Sequence, residues 1–315
     1  MIELRVNNGE ISFEPIVCGE VVCESFSRGR CSSLSFSVVF GGGAVVREGD
    51  SVSLRVDGVG VFFGVVFGRR KDSERVVHFF AYDQLRYLKN KDTYVYSGKR
   101  ASDVVCMIAA DYKLRLGEVR QTGYVIPQRI EDNVALIDIV GNALDIELEQ
   151  CGQRFVLFDD FGKLSLKREC EMYCSDENDF VRVNESSAEK FDFYSSVDKR
   201  SNRVKVSRLD RKSGRREVFV AKDEDSESRL GILQQYVKVT GRDENLGSKA
   251  SAVLALRNHD ERSLSVKNAV GDARVRGGCV IRIDMDDFCG LASVMKCVHK
   301  FSGGGHLMDL EVGLN

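Results

Sequence analysis

The residues able to do chemistry in this chain are four histidines, ten cysteines and a few closely spaced carboxylates. His299 and His306 flank a glycine turn, so two antiparallel strands would let their imidazoles meet as a metal or proton-sensing pair; His78 and His259 have no such neighbour. A tetrahedral metal site needs four converging ligands, and no carboxylate-plus-histidine spacing completes one. Among Cys18, Cys23, Cys31, Cys106, Cys151, Cys170, Cys174, Cys279, Cys289 and Cys297 there is no Cys-x-x-Cys pair. Cys170 and Cys174 come nearest to ligand spacing, and no second pair follows them. Glu147, Glu149, Asp159 and Asp160 are close along the chain, as glycoside-cleaving carboxylates can be, but that chemistry depends on separation in space, and solvated surface is the expectation. Asp160-Phe161-Gly162 has the letters of a kinase metal motif. The His-Arg-Asp loop and the glycine-rich loop that must accompany it are absent, and turn chemistry accounts for the Asp and the Gly. Gly41-Gly42-Gly43 and Gly303-Gly304-Gly305 lack the Gly-Lys-Ser/Thr sequel of a phosphate cradle. The expectation is no catalytic residue, no metal and no cofactor.

These residues sit on three stretches of different periodicity. Residues 1–81 alternate apolar and polar positions, as at Ile2, Leu4, Val6, then Leu34, Phe36, Val38, then Val52, Leu54, Val56, with turns at Asn7-Asn8-Gly9, Gly41-Gly42-Gly43, Glu48-Gly49-Asp50 and Asp57-Gly58. This predicts a small β-barrel or sandwich. Val59 to Phe67 is apolar on both faces, as a buried or interface strand would be. From 82 to 187 the period changes. Val104, Val105, Ile108 and Tyr112 predict a helix over 101–112 capped by Ser102, and Leu136, Ile137, Val140, Ala143 and Leu144 predict another over 133–149 capped by Asp132 or Asn133. A β-hairpin follows, Phe155–Phe158 and Lys163–Leu166, about the turn Asp159-Asp160-Phe161-Gly162; residues 171–187 read as a connector. From 188 to 315 strands return around Val204, Val218, Val237, Leu264, Ile281, Val294 and Leu307, with turns at Lys212-Ser213-Gly214 and Ser302-Gly303-Gly304-Gly305 and one helix over 248–258. The fold class is α+β, mostly β: two small β domains, 1–81 and 188–315, flank an α/β domain, 82–187.

Composition is that of a globular protein, with formal net charge −2, so there is no bulk attraction to nucleic acid or anionic lipid. The basic cluster Lys199 to Arg216 is interleaved with Asp192, Asp198, Asp210 and Glu217, as on a solvated hairpin. Met1-Ile2-Glu3-Leu4-Arg5-Val6 has no signal-peptide pattern and no apolar run reaches the roughly 20 residues of a membrane span. Scattered cysteines fit free thiols in a reducing cytosol.

One ordered set of segments is more specific. Tyr82-Asp83-Gln84-Leu85-Arg86-Tyr87-Leu88-Lys89-Asn90 is followed by Ala101-Ser102-Asp103-Val104-Val105, by Thr122-Gly123-Tyr124-Val125-Ile126-Pro127, and by Asp159-Asp160-Phe161-Gly162-Lys163-Leu164 after the aromatic Phe158. Then come Leu230-Gly231, with Leu230 where tyrosine is usual, Gly271-Asp272-Ala273-Arg274-Val275-Arg276-Gly277-Gly278, and His306-Leu307-Met308-Asp309-Leu310. In this order they resemble the baseplate hub proteins of contractile phage tails and phage-like particles, the XkdQ/YqbQ group, which includes PBSX-like particles and is related to R-type bacteriocins. The resemblance spans most of residues 80–312; the first 80 match only in style.

The resemblance implies a non-enzymatic virion structural protein, assembled in the bacterial cytoplasm into the baseplate of a tail or tail-like particle. Its two β domains would be tube-like, barrel-like modules. As a homotrimer it would present six such modules, a pseudo-sixfold ring joining the sixfold tail tube protein to the threefold spike protein, with other baseplate proteins and a LysM-type peptidoglycan-binding protein as further partners. It assigns structural roles to Tyr82, Asp83, Leu85, Tyr87, Leu88, Asp159, Asp160, Gly162, Gly231, Gly271, Asp272, Arg274, Gly277 and His306. Tyr82 and Tyr87 would be buried with bonded hydroxyls, Gly271 and Gly277 would permit tight turns, and Asp272 and Arg274 would pair. Two other classes remain on the residues alone: a tail module binding host-surface or cell-wall carbohydrate, and a cell-wall hydrolase, for which no nucleophile or metal motif is present.

Overall fold

The computed structural model describes residues 1–39, 45–71, 76–175, 180–209, 214–239, 245–286, 288–303 and 305–314. The turns expected at Gly41-Gly42-Gly43, Lys212-Ser213 and Gly304 lie outside the described residues. By mutual contact the chain forms two units. The first comprises Met1–Glu147, Gln153–Phe193 and Leu264–Leu314; the second comprises Leu148–Gly152 and Tyr194–Ser263.

The first unit begins with seven strands: β1 (Ile2–Asn7), β2 (Ser12–Phe13), β3 (Val21–Phe26), β4 (Ser33–Val39), β5 (Ser51–Val56), β6 (Val59–Lys71) and β7 (Val76–Tyr82). Alternation along them is close to strict: Val21 and Cys23, Leu34 and Phe36, Val52, Leu54 and Val56 all point into one core, the period-two pattern of a sheet with one covered face. β6 departs from its reading as an element apolar and covered on both sides. Phe62 and Val66 are buried, while Val59 and Phe67 are exposed. Its second face is only partly covered, by Phe161 against Phe63 and by Tyr82 and Tyr87 against Phe67.

The middle segment runs from a 3-10 turn at Gln84–Lys89 through β8 (Lys91–Lys99), α1 (Ala101–Asp111), β9 (Leu116–Val119), β10 (Ile126–Ala135), α2 (Leu136–Cys151), β11 (Phe155–Asp159) and β12 (Leu164–Arg168). Both helices stand near their expected places, with different starts. Arg100 is the N-cap residue of α1, and the Asp103 carboxylate turns back to accept its N–H at 2.8 Å. Ser102 is spent instead on Thr122, with reciprocal N–H to hydroxyl bonds of 3.2 and 3.3 Å. Asp132 and Asn133 cap nothing. They sit at a bulge in β10, which pairs antiparallel with β8, and Asp132 accepts from the Thr93 hydroxyl. β11 and β12 form the expected hairpin, and β9 joins β12 in parallel. Leu88, Ile108, Leu136 and Ile139 anchor a core distinct from that of the first seven strands.

The chain continues through β13 (Arg182–Asn184), inside the expected connector, and β14 (Lys190–Ser196). The second unit then holds β15 (Arg203–Leu209), β16 (Arg216–Lys222), α3 (Glu224–Leu230), β17 (Gln234–Val239) and α4 (Leu246–Arg257). Its three strands order as β16-β15-β17, and Val204, Val206, Ala250 and Val253 make its core. Residues 194–263, read from sequence as part of the last β region, thus have a core of their own. The basic cluster there is neutralised locally, with Arg203 against Glu227, Arg208 against Glu217 and Arg200 against Asp260. α4 starts two residues earlier than expected because Asn245 accepts the N–H groups of Gly247 and Ser248.

Back in the first unit, β18 (Glu261–Val270), β19 (Val280–Met285), β20 (Phe288–Ser302) and β21 (Gly305–Gly313) enclose a third core around Ile281, Ile283 and Leu310. β20 pairs antiparallel with β3, so the strands of both chain ends share one sheet, ordered β14-β18-β21-β20-β3-β4-β7-β6-β5-β1-β2.

Candidate functional site: a buried polar junction

Three of the segments singled out in the sequence, 82–90, 159–164 and 271–278, meet in one place, with His306 of a fourth beside them. β7 ends at Tyr82, and Asp83 begins the 3-10 turn. Its carboxylate is 1% exposed. One oxygen accepts from Leu85 N–H at 3.0 Å, the cap of the turn, and the other from Ser32 N–H at 2.9 Å, at the head of β4. Two main-chain donors stabilise the charge, yet burial outweighs them and, helped by the neighbouring Asp159, pushes the Asp83 pKa up to about 7.

Asp159 closes β11. Its carboxylate accepts from Gly162 N–H at 2.6 Å, which sets the hairpin turn, and from Gln84 Nε2 at 2.8 Å, which ties that turn to the 3-10 segment. Burial raises its pKa too. Gly162 has φ +89°, and a Cβ there would lie 2.7 Å from the Phe63 ring. The third partner is the loop 271–279. Arg276 lays its guanidinium over the Phe158 ring at 4.2 Å and donates from Nη2 to the Asp159 carbonyl at 2.9 Å. Gly277 N–H donates to Ser25 Oγ at 2.9 Å, with the backbone of Phe26 so close that a Cβ would sit 2.3 Å from its carbonyl carbon.

Beyond this lies the histidine pair. His299 Nε2 is 2.7 Å from the Val275 carbonyl, which can only accept, so Nε2 carries the proton. Nδ1 is then the acceptor, and His306 Nε2–H donates to it at 2.9 Å. His299 is 2% exposed, and desolvation pulls its pKa down to about 4. His306 stacks on Phe301 at 4.3 Å, and Gly271 makes room for its ring: a Cβ would stand 2.3 Å away. Asp272 and Arg274 pair as expected, with bonds of 3.0 and 2.7 Å, and this holds the Asp272 pKa below the usual carboxylate range.

Several roles differ from expectation. Tyr87 is 37% exposed and Tyr82 half-buried; both ring Phe67 rather than filling a core. Leu85 and Leu88 are the buried pair of that segment. The left-handed position of the turn after Arg276 belongs to Gly278, at φ +91°, while Gly271 and Gly277 provide clearance. Asp160 is exposed; Asp159 and Glu147 are buried, not solvated. Glu147 accepts Gly123 N–H and Tyr124 N–H at 2.8 and 2.7 Å. Gly231 ends α3 at φ +76° in the second unit. Sequence reading did not assign Ser25, Ser32 or Arg276 to the site; Arg276 lies inside the signature segment 271–278, whereas nothing local marks Ser25 or Ser32.

The cavity beside Cys23, Ser32, Asp83, Asp159, Arg276 and His299 measures about 30 Å³, far below the several hundred Å³ of a ligand pocket. The carboxylates spend their acceptors on main-chain and amide donors. What the arrangement does is fix the N-terminal strands, the hairpin and the 271–279 loop in one register.

Such a mostly β fold, end to end, is one found in phage tail proteins. The tail protein from Neisseria meningitidis MC58 superposes with a TM-score of 0.71 at 14% identity, covering 100% of this chain and 97% of that one. The 43 kDa tail protein of prophage MuSo2 from Shewanella oneidensis gives 0.69 at 10% identity, covering 98% of each. The chain belongs to the YqbQ-like family, which it matches over residues 22–313. The phage-like element PBSX protein XkdQ of Bacillus subtilis (strain 168) is 29% identical over 277 residues, 85% of this chain and 82% of XkdQ.

Proposed function

We propose that the protein is the baseplate hub of a contractile phage tail or tail-like particle, a structural component without catalytic activity. Three copies form a pseudo-sixfold ring between the sixfold tail tube and the threefold spike. Tube-like modules are contributed by the strands of 1–81 and by the C-terminal strands within 188–315, with 82–187 as the α/β domain between them. The tube protein, the spike protein and neighbouring baseplate proteins, one with a LysM-type module, are its partners, and assembly takes place in the bacterial cytoplasm.

The observation that carries this reading is the sheet that both ends of the chain share. Among the described residues its main path ends at β14 on one side and at the two-residue β2 beside β1 on the other, with β19 and β13 branching from β20. Phe191 and Tyr194 on β14, and Ile2 and Ile11 near β1 and β2, are exposed. Unpaired edges bearing apolar side chains invite another strand, and a closed ring removes both edges of every subunit together. Kinship to XkdQ and the shared tail-protein fold support the same reading.

Light scattering on the protein, alone and mixed with the tube and spike proteins of the same particle, tests the proposal. The expected mass is three subunits, free or in the complex. A species that stays monomeric with both partners present, or closes with six copies, overturns it.

A further inference from the structure

Among the described residues, the three-stranded sheet of the second unit is covered on one side only, where α4 packs with Val204, Val206 and Val239. β15 pairs with β17 in parallel, and parallel strands ordinarily have both faces covered. The register sets what stands on the bare face. Lys205 lies between Val220 and Tyr236, and Ser207 between Val218 and Lys238. Leu209, Val218, Val220 and Tyr236 are 52%, 45%, 44% and 41% exposed, where a face meant for water carries polar side chains.

The charge on this face has one sign. At one end Glu227 and Glu224 neutralise Arg203 and Lys222. Toward the other end Lys205, Arg216 and Lys238 have no carboxylate partner among the described residues, and no strand position on the face is acidic. Lys205 Nζ stands 6.0 Å from the centre of the Tyr236 ring, and the Tyr236 hydroxyl is 2.7 Å from Ser207 Oγ. That bond draws the Tyr236 phenol below its ordinary value, and the cations Arg216, Lys205 and Lys238 add to the effect. The excess is local, because the whole chain carries formal net charge −2.

We propose that this face is the docking site for an acidic amphipathic helix of another protein, its apolar ridge over Leu209, Val218 and Val220 and its carboxylates against Lys205, Arg216 and Lys238. A helix is the element that covers a sheet face, as α4 does on the opposite side, whereas an added strand would pair at an edge. The long helices described in this chain bury their own apolar faces, so a second copy has none to offer. Single-stranded nucleic acid stacks successive bases on several rings, and Tyr236 is the one ring on this face.

Fluorescence anisotropy on the full-length protein tests the assignment. The probe is a labelled synthetic helix with leucines along one face and glutamates flanking them, compared with the same peptide carrying lysine for glutamate. The glutamate helix should bind and the lysine helix should not, with affinity falling as salt is added. The double variant Lys205→Glu, Lys238→Glu should weaken binding about tenfold or more. The double variant Val218→Ser, Val220→Ser should weaken it at unchanged charge. Both should melt with the parent, since these side chains belong to no core. The proposal is overturned if the parent does not bind the glutamate helix, or if the parent and both variants bind it equally. It is also overturned if labelled oligothymidylate binds more tightly than the glutamate helix and is lost from the charge-reversed variant, which makes the face a nucleic-acid site.

Discussion

Replacing Asp83 by Asn isolates the electrostatics of the junction. The carboxylate is enclosed by Ser32, Leu85, Asp159 and Arg276, and its pKa is moved from 3.8 to about 7, first by burial and then by Asp159. At about 1.4 kcal/mol per pH unit, that displacement is on the order of 4 kcal/mol. The sign follows from proton binding. The folded protein holds this proton more tightly than the unfolded chain, so the contribution is fully present below pH ~4 and is lost as pH rises through about 7. An Asn side chain keeps an oxygen for the Leu85 N–H and turns its amide toward Ser32 N–H, a cost that does not vary with pH. Urea unfolding of both proteins between pH 4 and 7.5 separates the two effects. Relative to Asp83→Asn, the parent protein should lose on the order of 4 kcal/mol across this range. An equal gap between the two proteins at both ends of the range would refute the claim that Asp83 is buried as described.

His299→Gln should act in the opposite sense: the His299 pKa is lowered to about 4, so the parent loses stability as pH falls from about 6.5 toward 4, and the variant, read by the same urea series, should lose less. Gly277→Ala places a Cβ 2.3–2.6 Å from the backbone of Phe26, which cannot yield as a side chain would. About 3 kcal/mol and a melting temperature lower by roughly 6–12 °C are expected, whereas Gly68→Ala, with open space at its Cβ, should melt close to the parent in the same calorimetric scan.

What was legible in the sequence is what local chemistry decides. Leu34 and Phe36, or Val52, Leu54 and Val56, reveal their strands because an exposed neighbour follows each buried one. The hairpin at 155–166 was legible because Asp159 and Gly162 make its turn between themselves. The histidine pair was legible because a short turn leaves two strands little choice. What stayed hidden depends on partners far along the chain. Asp132 and Asn133 look like caps, but β8, some forty residues earlier, holds them in a strand. The polar run Glu224–Leu230 has no apolar stripe, yet the Asp223 side chain accepting Ser226 N–H starts a helix there. Glu147 and Asp159 read as surface because isolated carboxylates usually are, and nothing in the sequence marks Asp83 as buried. Their donors, the N–H groups of Ser32, Gly123 and Gly162 among them, cannot be counted before the fold is known.

A structural protein gains little stability from burying two carboxylates beside an arginine, because desolvation offsets much of the attraction. The geometry suggests what is gained instead. Apolar contacts are non-directional, and the three cores of the first unit could slide against one another by small amounts at small cost. The polar contacts cannot. Asp83 accepts one N–H from its own turn and one from the head of β4. Gln84 spans from that turn to Asp159. Arg276 spends a donor on the Asp159 carbonyl, and Gly277 on Ser25. Each pair of neighbouring segments is joined by at least one bond with a fixed length and direction, and contacts at separated points are what fix one body against another. In a closed ring any angular error within a subunit is repeated at every copy, and closure fails when the sum departs from a full turn. A buried polar junction is therefore better suited than a larger apolar core to a subunit that, on the hub reading proposed above, has to close a ring.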